Sequence, residues 1–169
     1  ASLLGGAEVV GVDPREHSAR DAFTRIRTSG AEIIACTPTF VDALHTAAQR
    51  DTLPDVRRIV ATGEPVQARH VRLARELAPN AIFTNWVGST ETLGIASYDI
   101  PPTAPLPRGV VPVGIPAPHK RIDIDDAGTV SITGRYLGTG YLDGAATAAT
   151  FATNPDGTIT YRGGDSGRW

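Results

Sequence analysis

The 169 residues, 41% hydrophobic and 20% charged, have the size and balance of one globular domain, which excludes a chain disordered throughout. A formal net charge of -2 excludes a generally basic surface, so nucleic acid is not an expected partner and any polyanion must be held by local geometry. The single Cys36 excludes an internal disulfide, and no apolar run approaches the roughly 20 residues of a membrane span, so a cytoplasmic protein is expected with no membrane partner.

The first half alternates two periods. "AEVVGVD" (7–13) reads as a strand, followed by a helix that opens at Pro14 and stops at Gly30, with Ala22, Phe23 and Ile26 on one face. "AEIIACT" (31–37) is the next strand, with Cys36 as a small buried apolar residue, and Pro38 opens a helix carrying Phe40, Val41 and Leu44. A third strand follows at 58–62, a third helix at 66–78, and a fourth strand at 81–87. Strand-helix-strand spacing favours right-handed parallel crossovers. From about residue 101 Pro and Gly crowd the chain and helix patterning fades. "KRIDI" and "TVSITG" flank the turn Asp125-Asp126-Ala127-Gly128, and "TIT" follows Asn154-Pro155-Asp156-Gly157. The expected class is α/β: a doubly wound, mostly parallel sheet layer over residues 1–100, then a β-rich segment of the same domain over 101–169.

In such a sheet, ligands sit beyond the carboxyl ends of the strands. Three ends carry informative residues: Ala35-Cys36-Thr37-Pro38, Ala61-Thr62-Gly63-Glu64, and the run from Asn85 to Glu91. Gly63 and Gly88 permit close backbone approach, Ser89 and Thr90 offer donors to phosphate oxygens, and Glu91 is a hard carboxylate suited to magnesium. The same Gly-Ser-Thr-Glu run also suits a plain turn leading into a helix cap. Asp123, Asp125 and Asp126 lack the spacing and closing Glu of a calcium loop and read as a hairpin turn. The four histidines are scattered without ligand spacing.

Five stretches, in order, resemble the adenylate-forming (AMP-binding) superfamily, most nearly the nonribosomal peptide synthetase adenylation domain. "NWVGSTE" (85–91) resembles its Asn-x-Tyr-Gly-Pro-Thr-Glu motif, and "GTVSITGRYLGTGYL" (128–142) its Gly-Glu-Leu-x-Ile motif ending in Gly-Tyr-Leu. "YRGGDSGRW" (161–169) resembles Tyr-Arg-Thr-Gly-Asp-Leu-Gly-Arg-Trp, with "TPTF" and "ATGEP" upstream. The resemblance implies an adenylate-forming ligase that joins a carboxylic or amino acid to AMP, using ATP and magnesium and releasing pyrophosphate. The acyl group then passes to a thiol, either carrier-protein phosphopantetheine or CoA. By matching position, Thr90 and Glu91 are the catalytic residues, with Glu91 ligating magnesium. Gly63, Glu64, Asn85, Val87, Gly88, Ser89, Thr90 and Asp165 border the nucleotide, Asp165 at the ribose. Ala35, Val60, Thr62, Trp86, Gly94 and Ile95 border the acid, and the bulk of Trp86 implies a shallow pocket.

The match has departures: Val87 for a ring stacked on adenine, Ser89 for Pro, Gly163 for Thr and Ser166 for Leu. The phosphate loop and the small C-terminal domain with its lysine have no counterpart, and Lys120, the sole lysine, matches neither family lysine. The expectation is a fragment of a longer ligase, inactive by itself. The alternatives are a catalytically silent nucleotide-binding or interaction module, or an acyl-CoA synthetase or aryl acid ligase of the same superfamily.

Overall fold

The computed structural model describes residues 5–169, so Ala1–Leu4 at the head of the first apolar run lie outside the described residues. It divides into two compact units. One comprises the described residues through Thr84 with Ile100–Val111; the other comprises Asn85–Asp99 with Pro112–Trp169. The sequence split at residue 100 falls differently, because β3 (Ile82–Ser89) runs from the first unit into the second and residues 100–111 return to the first. That return is anchored by backbone hydrogen bonds from Val111 to Val66 and from Ala68 to Gly109.

In the first unit, α1 (Ala19–Ser29), β1 (Ile33–Cys36), α2 (Pro38–Ala48), β2 (Arg58–Ala61) and α3 (Ala68–Leu77) precede β3, and the strand order is β1-β2-β3. β1 and β2 are parallel, Ile33 opposite Arg58 through Cys36 opposite Ala61. Strand side chains alternate between faces, so Ile34, Ile59 and Ala61 enter the core with Phe23, Leu44 and Val71 from the helices. Ile33 faces the other way and is 63% exposed. Pro38 stands in the first turn of α2, where the sequence places the helix start, and Thr37 caps it by accepting from Phe40 N–H at 3.3 Å.

Two expectations fail here. Residues 7–13 form no strand: Val10 and Val12 lie along a cleft of about 280 Å³ beside β1 without joining its ladder. Gly11 interrupts the run, and a short segment with one neighbour gains little from pairing. The first helix starts at Ser18, not at Pro14. Asp13 folds the intervening residues into a turn, its carbonyl accepting from Glu16 and His17 N–H and its carboxylate from Arg15. Ser18 and Asp21 then close a capping box, and Gly30 ends the helix at φ 64°.

The second unit holds the rest of β3, most of β4 (Leu93–Ile100), β5 (Ile115–Pro116), β6 (Lys120–Ile124), β7 (Thr129–Gly134), α4 (Gly144–Thr150), β8 (Phe151–Thr153) and β9 (Ile159–Ser166). β3, β4 and β5 are neighbours in order, and β6-β7-β9-β8 form an antiparallel sheet. Ile95, Ala96, Ile132 and Leu137 make the core of this unit, with Val87 packed against it. The β6–β7 turn is the expected hairpin: Asp125 Oδ1 accepts from Ala127 and Thr129 N–H, and Gly128 takes φ 82°. β4 and α4 are absent from the sequence reading. α4 buries no side chain, so it has no apolar stripe, yet Asp143 caps it by accepting from Ala145 and Ala146 N–H. The whole is a mixed α/β fold with parallel and antiparallel pairing.

Candidate functional site

The run Asn85–Glu91 is the end of β3 and the turn into β4, so it forms a hairpin and starts no helix. Gly88 makes the tight crossing possible: a Cβ there would lie 3.2 Å from Gly94 Cα and collide with the Leu93 carbonyl. Ser89 and Thr92 share a hydroxyl hydrogen bond of 2.9 Å, with Thr92 fully buried and Thr90 exposed. Leu93 closes the turn at φ 55°, a left-handed conformation that side chains disfavour.

A second segment wraps this turn from outside. Gly138 N–H donates to the Glu91 carbonyl at 2.6 Å, and the Tyr141 hydroxyl donates to Glu91 Oε1 at 2.9 Å. The Lys120 ammonium donates to the Thr92 carbonyl, and burial lowers its pKa. The Glu91 carboxyl is held below its usual range by its own backbone N–H, then by Tyr141 and Ser89, so it is ionised at neutral pH. The same carboxylate raises the pKa of Tyr141, Tyr161 adding to the effect.

Glu91 thus presents a single ionised, partly exposed carboxylate beside the Ser89 hydroxyl, with the exposed Thr90 next to it in the chain. That donor set fits magnesium arriving with a nucleotide, since this ion takes one or two protein carboxylates and fills its shell with water and phosphate oxygens. It is no closed cage: among the described residues no group of three or more His, Cys, Asp or Glu could hold a metal.

The remaining expected nucleotide residues are distributed as follows. Asn85 is 4% exposed and donates its amide N–H to the Pro112 carbonyl at 2.9 Å. Val87 packs on the second unit's core. Asp165 is exposed on β9 near the Gly128 turn, and among the described residues no hydrogen bond joins it to the Glu91 turn. In the first unit, Gly63 at φ 85° brings the end of β2 beside Thr37, a Cβ there lying 3.9 Å from the threonine methyl. Glu64 then accepts from Thr39 N–H at 3.1 Å and Thr39 Oγ1 at 2.6 Å, which caps α2 and holds the Glu64 carboxyl below its ordinary value. The strand ends at 37 and 63 therefore meet.

Of the expected acid-pocket residues, Ala35 lines the cleft beside β1, while Val60 and Thr62 are half-buried at the end of β2. Across the β3–β4 hairpin the Trp86 indole, 40% exposed, lies over Gly94, where a Cβ would come within 2.7 Å of the ring. Ile95 is buried in the second unit's core.

The model of the AMP-binding enzyme family matches residues 1–142. The chain belongs to that family. Among its relatives, an L-allo-isoleucine:holo-[CmaA peptidyl-carrier protein] ligase of Pseudomonas savastanoi pv. glycinea is 27% identical over 96% of this chain and 29% of that protein. Phenyloxazoline synthase MbtB of Mycobacterium tuberculosis is 28% identical over 100% of this chain and 13% of its own length. Of solved structures, IdnL7 superposes with a TM-score of 0.82 at 27% identity, over 97% of this chain and 36% of the other. The peptide synthetase FmoA3 bound to α-methyl-L-serine-AMP gives 0.82 at 26% identity, over 96% of this chain and 20% of the other. The chain therefore spans under two-fifths of these relatives.

Within this AMP-binding enzyme chain, sequence reasoning missed Tyr141, Gly138 and Lys120 as neighbours of the Glu91 turn. The Gly-Tyr-Leu ending was visible at 140–142, but nothing local to it says which residue the tyrosine reaches. No helix among the described residues is long and apolar enough to cross a membrane.

Proposed function

We propose that the full-length protein is an ATP-dependent ligase of the cytoplasm that activates a small carboxylic or amino acid as its acyl-adenylate and passes the acyl group to a thiol. The observation that carries this reading is the Glu91 turn: an ionised carboxylate and two hydroxyl residues on a hairpin braced from outside by Gly138, Tyr141 and Lys120. The matching relatives support the acid and thiol classes, one acting on a peptidyl carrier protein and another a D-alanine–D-alanyl carrier protein ligase.

Attack of a carboxylate on the α-phosphate brings like charges together, so positioning and charge neutralisation carry the catalysis. In the proposed assignment Glu91 holds the magnesium ion, which would neutralise phosphate charge when bound, and Ser89 and Thr90 donate to phosphate oxygens. Gly63, Glu64, Asn85, Val87 and Gly88 border the nucleotide, and Asp165 takes the ribose hydroxyls. Ala35, Val60, Thr62, Trp86, Gly94 and Ile95 border the acid, and a phosphopantetheine or CoA thiol receives it. The 169-residue segment by itself is proposed to be inactive, because it covers only a part of each relative.

Pyrophosphate exchange by the full-length protein, with a panel of amino, aryl and fatty acids, tests this. Exchange dependent on one class of acid, reduced by about 100-fold or more in Glu91→Gln, is the expected result. No exchange with any acid would instead identify a catalytically silent binding module, a reading favoured only by Val87 standing where a stacking ring is expected.

A further inference from the structure

We propose that Tyr141 is a positioning residue for the Glu91 carboxylate, an inference that rests on the reading of Glu91 as the magnesium ligand. Glu91 and Tyr141 are 50 positions apart, and their 2.9 Å hydrogen bond joins the turn of one hairpin to the loop between β7 and α4. The Glu91 backbone N–H and Ser89 also act on this carboxylate, but both are local to the turn; Tyr141 is the contact that ties it to another loop, so fixing one oxygen from there helps aim the other.

The loop is built to deliver that hydroxyl. Thr147 in α4 clasps the tyrosine backbone on both sides, accepting from Tyr141 N–H at 2.7 Å while its own hydroxyl lies 3.2 Å from the Tyr141 carbonyl. Gly140, at φ 144°, leaves room for this clasp, since a Cβ there would lie 2.7 Å from Thr147 Oγ1. The Tyr141 ring stands edge-on to Phe151, with centroids 5.3 Å apart. Three residues earlier Gly138 N–H holds the Glu91 carbonyl, so one loop grips both the backbone and the side chain of the same glutamate.

A purely structural tyrosine needs only its ring: phenylalanine would keep the Phe151 contact and the Thr147 clasp, both independent of the hydroxyl. Tyr141 is 42% exposed as a residue, so full burial does not dictate where its side chain points. The hydroxyl's alignment on the carboxylate is thus the feature a structural role leaves unexplained. Carboxylates that ligate metals are themselves hydrogen-bonded, and losing such a partner typically costs 10- to 100-fold in metal affinity.

The test uses the full-length protein with manganese as the probe ion, titrated by electron paramagnetic resonance in the presence of a non-hydrolysable ATP analogue. Tyr141→Phe is expected to weaken manganese binding about 10- to 100-fold. Its binding of the analogue in EDTA and its thermal midpoint should match wild type. In pyrophosphate exchange the apparent KM for magnesium should rise while kcat at saturating magnesium stays within about twofold. Thr147→Val, which removes the clasp but keeps the hydroxyl, should shift manganese affinity in the same direction by less, and gives a second reading should Tyr141→Phe fold poorly. Wild-type manganese affinity in both variants, or a fall in kcat with unchanged magnesium KM, overturns the proposal while leaving Glu91 in its role. Equal manganese binding by wild type and Glu91→Gln would remove Glu91 from that role and this inference with it.

Discussion

Three glycine-to-alanine substitutions in the second unit separate backbone crowding from side-chain crowding. At Gly88 the nearest atoms the new methyl would meet are backbone, the Leu93 carbonyl group and Gly94 Cα at 3.2 Å, and backbone paired across a hairpin cannot step aside without opening the ladder. Overpacking of this kind costs about 2–3 kcal/mol. At Gly94 the nearest atoms, 2.7–3.2 Å away, belong to the Trp86 indole, which is 40% exposed and free to swing outward. Driving a side chain off its preferred rotamer costs about 1 kcal/mol. At Gly164 nothing lies within 4 Å, so alanine should be neutral within about 0.5 kcal/mol. Urea denaturation of the full-length protein, followed by circular dichroism and by tryptophan fluorescence, measures all three. Gly94→Ala should also shift the native emission, since the new methyl would press on the Trp86 indole. Equal losses at positions 88 and 94, or a Gly88→Ala protein as stable as wild type, would refute the assignment of rigid and yielding neighbours.

Trp86→Ala, which uncovers Gly94, should widen acceptance toward larger acids in pyrophosphate exchange, and an unchanged preference would remove Trp86 from the acid pocket. The Glu64 carboxyl, lowered from its ordinary 4.5 by Thr39, stabilises the fold above that value and loses the contribution as pH falls through the lowered folded value. Carboxyl NMR titration should show it moving back toward 4.5 in Thr39→Val, and no movement would contradict the capping contact. Burial pushes the Cys36 thiol up to about 12, so at pH 8 it should resist iodoacetamide in the native protein and react promptly on unfolding. Fast native labelling would show that β1 is not packed as described.

The alternation of period along residues 31–84 placed β1, α2, β2, α3 and the start of β3, because side-chain direction in a strand or helix is a local property and Gly30 and Pro38 mark the helix ends they stand at. The same holds for the Asp125–Gly128 turn, whose hydrogen bonds lie within five residues. Family membership was legible for a related reason: its motifs are contiguous strings. What the order of residues left open was decided by how the chain folds back on itself. Residues 7–13 have a strand's composition, yet pairing needs a partner edge and an unbroken run, and Gly11 interrupts theirs. Glu91 was visible as a carboxylate after a strand, whereas its grip by Tyr141, 50 positions away, and the brace from Lys120 depend on the path of the loops between β3 and α4. No periodicity encodes a contact of that range, because it is set by the packing of whole elements rather than by neighbours along the chain.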